Sequence, residues 1–167
     1  MPQRSVIQDP FKFAVEGRRL AGRVPLAELG RLTDVLLDRA GEVVYELTGD
    51  IGVDRKPRLV LSASAVLVLR CQRCLGRMEW PLALESVLQL VRPGQAIPDD
   101  ELENDESDTI EAVADMDVVA LVEDEIVLAV PIAPRHEDCD VPRPSDGAEQ
   151  ESPFAALAGL RKSGGAE

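Results

Sequence analysis

Residues 43–90 alternate apolar and polar with a period of two along most of their length, which constrains the fold more than any other feature. Val43, Tyr45, Leu47, Gly49 and Ile51 point to one side, and Glu46, Thr48 and Asp50 to the other. After the turn residues 54–57, Leu59, Leu61, Ala63, Ala65, Leu67 and Leu69 form one face of a second run that ends at Arg70. Met78, Trp80, Leu82, Leu84, Leu88 and Leu90 repeat the alternation a third time. Successive side chains of a strand point to opposite faces. Runs this long therefore predict an antiparallel sheet of long strands with one well-buried face. Pro81 cannot donate to a ladder and is expected at an edge or a bulge.

The flanking segments are shorter. Phe11, Phe13 and Val15 alternate well enough for a short strand, and residues 24–37 read as an amphipathic helix with Pro25 in its first turn. Residues 38–41 look like a turn, and 109–113 like a short strand. A second helix is expected to open at Asp117 and run to about Ala129. Val118, Leu121, Val122, Ile126 and Ala129 form its apolar stripe, and Pro131 and Pro134 stop it. Glu125 falls within that stripe. It sits either at the stripe's edge or in a buried ion pair with Arg70 or Arg73. With its neighbours Glu123 and Asp124 it reads as a charged helical face rather than as metal carboxylates.

The expected class is α+β: a single domain with an antiparallel sheet, two main helices and a short C-terminal helix. Residues 1–140 would be the domain, 141–152 a polar linker, and 153–167 a short helical segment and tail. The apolar island around Phe154, Leu157 and Leu160 is too short to be stable alone, so it must dock on its own domain or on a partner.

Charge narrows the function. The 167 residues carry a net charge of −13, which argues against broad binding to nucleic-acid phosphates. The distribution is lopsided: residues 1–92 sum to +3, and residues 93–167 to −16. Either the acidic half receives a basic partner, or it serves solubility alone. Its densest part is the loop 93–108, which holds Asp99, Asp100, Glu101, Glu103, Asp105, Glu106 and Asp108. Arg18, Arg19 and Arg23 with Arg55, Lys56 and Arg58 are candidates for RNA contact, or ordinary surface charge. Aromatics are 3% of the chain, too few for a base-stacking platform. No apolar run is long enough to span a membrane, and the first ten residues lack a signal-peptide core, so the cytoplasm is the expected location. No phosphate loop, nucleotide fingerprint or small-molecule catalytic set is present.

All three cysteines and the one histidine fall in two compact pairs. Cys71-Gln-Arg-Cys74-Leu-Gly76 lies between the two longest strands, and His136-Glu-Asp-Cys139 follows the second helix. Two thiolates on a tight turn, with Gly76 free to take a positive φ, make half of a zinc site. The second pair would complete it as Cys71, Cys74, His136 and Cys139. Such a set leaves no open position, so the zinc would be structural. Inert buried thiols, or a redox pair, are the other readings; the redox pair would need a helix beside a βαβ unit.

Three segments together resemble the YceD family of bacterial proteins, named for large ribosomal RNA subunit accumulation. They are the strand running into Cys71-Gln-Arg-Cys74-Leu75, the stretch from Leu121 to Pro131 followed by Pro134-Arg-His136, and the island from Pro153 to Leu160. The resemblance spans roughly residues 10–162. It implies a cytoplasmic factor, non-enzymatic in character, supporting synthesis, processing or stability of 23S rRNA. A large-subunit ribosomal protein or a pre-50S rRNA particle would be the partner. Joined to the charge split, it suggests escort of a basic ribosomal protein. The alternatives are a small zinc- or thiol-dependent enzyme using Cys71 and Cys74, and an interaction module with no ribosomal connection.

Overall fold

The computed structural model describes residues 5–97 and 107–141. Its frame is a five-stranded sheet in the order β2-β3-β4-β5-β6. These strands are β2 (Arg19–Pro25), β3 (Glu42–Ile51), β4 (Pro57–Arg70), β5 (Arg77–Val91) and β6 (Asp108–Glu111). A two-residue ladder joins β1 (Val6–Ile7) to β7 (Met116–Asp117). Two helices, α1 (Pro10–Val15) and α2 (Val118–Ala129), complete the α+β arrangement.

The three alternating runs become β3, β4 and β5, paired in one antiparallel meander. Val43, Tyr45 and Leu47 are buried on one face with Leu59, Leu61, Leu67, Leu69, Met78, Leu82 and Leu88. α1 packs against β3 and β4, and α2 against β5 and the short turn at Gly30–Leu32, so both helices cover this inner face. Ile51, at the end of its run, is exposed instead.

The sheet is not wholly antiparallel. β6 pairs with β5 in parallel, Leu88 opposite Asp108 and Val91 opposite Glu111. A tight hairpin would have reversed the chain, whereas the long connection 92–107 brings it back to run the same way. β6 covers only the last four residues of β5, which leaves the earlier part of that strand as an edge among the described residues. The Cys71 N–H donates to the Gly76 carbonyl across the hairpin (2.9 Å), so odd-numbered β5 residues turn their backbone groups away from β4. Pro81 is one of these, and its missing N–H falls on the open edge.

Two expected elements are replaced. Residues 11–15 are helical, not a strand. Asp9 caps the helix by accepting from the Lys12 N–H (2.9 Å), and Pro10 takes the first turn. The helix buries Pro10, Phe13 and Ala14, spaced i, i+3, i+4. Six residues are too few for that period to outweigh the chance alternation of Phe11, Phe13 and Val15. Residues 24–37 are likewise not a helix. β2 continues to Pro25, and two 3₁₀ turns, Leu26–Glu28 and Gly30–Leu32, follow it. Leu26, Leu29, Leu32 and Leu36 are all buried. Steps of three and four residues serve a pair of 3₁₀ turns as well as they serve one amphipathic helix.

The second helix is as expected. Asp117 accepts from the N–H groups of Val119 (2.9 Å) and Ala120 (3.3 Å), and Val130 leaves the helix in extended conformation before Pro131. Glu125 is buried on the stripe, but it forms no ion pair with Arg70 or Arg73. Arg73 is committed elsewhere, and Glu123 and Asp124 instead hold Arg31. Glu123 also accepts from the Arg31 backbone N–H (2.7 Å), tying the helix to the second 3₁₀ turn. No helix among the described residues is long and apolar enough to cross a membrane.

Candidate metal centre

The β4–β5 hairpin is where the two cysteine pairs meet. β4 ends at Arg70, and residues 71–76 reverse the chain. The Leu75 N–H donates to the Cys71 carbonyl at 2.9 Å, the same length as the Cys71–Gly76 bond, closing a tight knuckle. Its left-handed residue is Leu75, at φ 62°, and not Gly76 as the motif suggested. A Cβ at Gly76 would lie 3.4 Å from Cys74 Sγ, at the limit of ordinary contact.

The segment after α2 folds back over the knuckle. The Gln72 N–H donates to the Pro134 carbonyl (2.8 Å). Arg73 Nη2 donates to the carbonyls of His136 (3.0 Å) and Glu137 (3.1 Å), and His136 Nε2 donates to the Arg77 carbonyl (3.1 Å). These bonds place His136 and Cys139 beside Cys71 and Cys74 although 61 residues separate the pairs.

One ligand atom from each of the four residues lies within 4.8 Å of all the others. Cys71 Sγ is 3.7 Å from Cys139 Sγ, and Cys74 Sγ is 3.4 Å from His136 Nδ1. Around a tetrahedral zinc, bonds of about 2.3 Å to sulfur and 2.0 Å to nitrogen set sulfur atoms about 3.8 Å apart and sulfur and nitrogen about 3.5 Å apart. The donor set and spacing both fit such an ion. Cys71 is fully buried, and Cys74 and Cys139 are half-buried.

The electrostatics favour a thiolate at Cys71. Burial pushes the Cys71 thiol up, yet hydrogen bonds from the backbone N–H groups of Cys74, His136 and Arg73 and from the Cys74 side chain bring it to about 5. Cys74 is held up in consequence: the Gly76 N–H lowers it, but burial and the neighbouring Cys71 and Cys139 outweigh that. His136 is raised by its contacts with the sulfurs of Cys139 and Cys71. Arg73, which donates from Nε to Cys139 Sγ (3.0 Å), is raised by that bond and by the sulfur charge. The sequence offered Arg73, beside Arg70, only as one possible partner for Glu125; its place between the two cysteines was the signal that could have put it here.

The other predicted site residues are scattered. Asp99, Asp100, Glu101, Glu103, Asp105 and Glu106 lie outside the described residues, as do Phe154, Leu157 and Leu160. Asp108 is exposed at the start of β6. Among the basic candidates, Arg19 pairs with Glu46, Arg23 with Glu42, Lys56 with Asp54 (3.6 Å) and Arg58 with Asp50 (2.6 Å). Arg18 stacks over the Phe13 ring at 5.9 Å, and Arg55 occupies the left-handed position of the β3–β4 turn. Arg18 and Arg19 at the start of β2 lie at the same end of the sheet as Arg55, Lys56 and Arg58 of the β3–β4 hairpin, Arg23 lies further along β2, and four of the six have a carboxylate partner.

The chain is 27% identical over 166 residues to the large ribosomal RNA subunit accumulation protein YceD of Haemophilus influenzae, covering 92% of this chain and 94% of that protein. No solved structure matches it. The model of the family described as large ribosomal RNA subunit accumulation protein YceD matches residues 59–161, from β4 through the knuckle and α2 and beyond the second metal-ligand pair, and the chain therefore belongs to the YceD family.

Proposed function

We propose that this protein supports accumulation of large-subunit ribosomal RNA as a non-enzymatic factor of the cytoplasm, and that it does so by escorting a basic ribosomal protein. Membership of the family and the name of the Haemophilus influenzae relative support the ribosomal role. The observation that carries the escort reading is where the free charge lies. About half of the described cations of residues 1–92, among them Arg19, Arg23, Arg31, Arg58 and Arg77, are paired with carboxylates, while residues 93–167 sum to −16. Phosphate contacts need uncommitted cations, whereas a surplus of carboxylates suits a basic protein. In this reading Asp99, Asp100, Glu101, Glu103, Asp105, Glu106 and Asp108 receive the partner, with Phe154, Leu157 and Leu160 as its apolar complement. Residues 1–140 form one folded domain, and 141–152 tether the apolar island to it.

The Cys71, Cys74, His136 and Cys139 centre is the structural part of that design. It would hold zinc with four protein ligands, pinning the segment after α2 to the hairpin. A thiol enzyme would need an accessible nucleophile, and Cys71, the sulfur most strongly driven to thiolate, is fully buried.

The test is affinity capture of the tagged protein from lysate, with and without ribonuclease, followed by identification of bound protein and RNA. A basic large-subunit protein retained after ribonuclease, and lost when the acidic residues 99–108 are neutralised, is the expected result. Loss of every partner with the RNA would replace escort by direct RNA contact, and would make Arg18, Arg19, Arg23, Arg55, Lys56 and Arg58 the residues to mutate. Metal content of the purified protein tests the centre separately, with one zinc per chain expected.

A further inference from the structure

We infer that Arg73 is the charge-compensating and positioning residue of the Cys71, Cys74, His136 and Cys139 centre, and that it sets how tightly the centre keeps its metal. The inference rests on the metal-binding reading above and adds a determinant that the four-ligand motif does not contain.

Three thiolates and a neutral imidazole around a divalent ion leave one net negative charge in a half-buried site. An isolated charge of that kind is costly unless an opposite charge and hydrogen bonds accompany it. Arg73 supplies both. Its Nε donates to Cys139 Sγ at 3.0 Å, its Nη2 to the carbonyls of His136 and Glu137 at 3.0 and 3.1 Å, and its backbone N–H reaches Cys71 Sγ at 3.4 Å. One residue thus touches sulfur in both halves of the site. The neighbouring cation Arg77 is not available for this, because its guanidinium is engaged by Asp38 and Glu79.

The fork geometry matters as much as the charge. Nε and Nη2 lie on one edge of a rigid plane, so the bond to Cys139 and the bonds to the two carbonyls are made together. That edge fixes the His136–Cys139 turn at the distance where its two ligand atoms meet Cys71 and Cys74. A lysine would keep the charge but offer a single flexible ammonium. Donation to Cys139 Sγ also places the guanidinium charge directly against that sulfur. Outer partners of metal ligands typically change affinity by about 10–100-fold when removed.

The experiment compares the wild-type chain with Arg73→Gln and Arg73→Lys, each prepared metal-free and titrated with zinc against a chromogenic chelator, and with cobalt(II) for its spectrum. Wild type should bind one ion with the absorption of a tetrahedral sulfur-rich site. Arg73→Gln should weaken zinc about 10–100-fold, speed its transfer to the chelator, and move the sulfur-to-cobalt charge-transfer band to lower energy. Arg73→Lys should weaken zinc less and still show the faster transfer. Should Arg73→Gln fail to fold, Arg73→Lys decides alone: zinc affinity and release rate unchanged from wild type would overturn the inference, and a weakened site would support it. If wild type binds neither zinc nor cobalt, the metal reading itself falls. If wild type binds and both variants match it in affinity, release rate and spectrum, the metal reading stands and the role of Arg73 is wrong.

Discussion

His136 turns its two ring nitrogens to opposite tasks: Nε2 lies 3.1 Å from the carbonyl oxygen of Arg77, and Nδ1 lies 3.4 Å from Cys74 Sγ. A carbonyl only accepts, so Nε2 carries a proton and Nδ1 is the nitrogen left to bind a metal. Backbone carbonyls commonly fix the tautomer of a ligating histidine in this way. Because the chain has one histidine, its ring nitrogens can be read without ambiguity by long-range nitrogen–proton NMR. The zinc-loaded protein should show a protonated Nε2 and a metal-shifted Nδ1; the reverse assignment would rule out this geometry.

Gly49 is required by the backbone of α1. A Cβ at residue 49 would stand 2.3 Å from the Phe13 carbonyl oxygen and 2.7 Å from Ala14 Cα, and neither can swing aside as a side chain could. Gly49→Ala should therefore lift α1 off β3 and destabilise the protein by about 1–3 kcal/mol, the usual range for forcing extra atoms into a packed core. Urea unfolding of the variant measures this, and an unchanged midpoint would show that α1 is not seated as described.

Asp117 joins β7 to α2 and satisfies two of the helix's free N–H groups. Asp117→Ala should cost about 1 kcal/mol, and Asp117→Asn, which keeps an accepting oxygen, should cost less. Thermal unfolding of the pair distinguishes loss of the cap from loss of charge; equal losses would assign the effect to charge.

Asp50 is held below its ordinary value of 3.8, first by its hydrogen bond from Arg58, with burial opposing, and then by the Ile51 N–H and the arginine charge. A carboxyl lowered on folding contributes stability that is fully present above its unfolded value and is lost as pH falls through the folded one. Asp50→Asn should thus be less stable than wild type near neutral pH, by under about 1 kcal/mol for so exposed a pair. The difference should vanish at pH values well below 3.8. A difference that persisted into strong acid would place its cause outside this ion pair.

Much of the frame was legible because β3, β4 and β5 each keep one face buried over ten or more residues, and period two has no competitor at that length. α2 was legible for a similar reason: just over three turns of stripe, an aspartate cap and two prolines agree. The two Cys/His pairs could be picked out from their spacing alone, and the structure brings them together as a group that could hold a metal. What failed was short. Six residues of α1 cannot display a helical period, and the leucines at 26, 29, 32 and 36 fit a helix and successive 3₁₀ turns alike.

The sequence by itself determined which residues face the core, where the hairpin turns, and which four side chains have metal-binding chemistry, since these follow from local periodicity and residue type. Only the tertiary structure decided that the pairs at 71–74 and 136–139 meet, that β6 runs parallel to β5, and that Arg73 serves Cys139 and not Glu125. Each of these depends on how distant segments are brought together. Helix α2 contributes to that geometry by packing against β5 and the turn at Gly30–Leu32, and no local pattern encodes the distance between two ends of such a path.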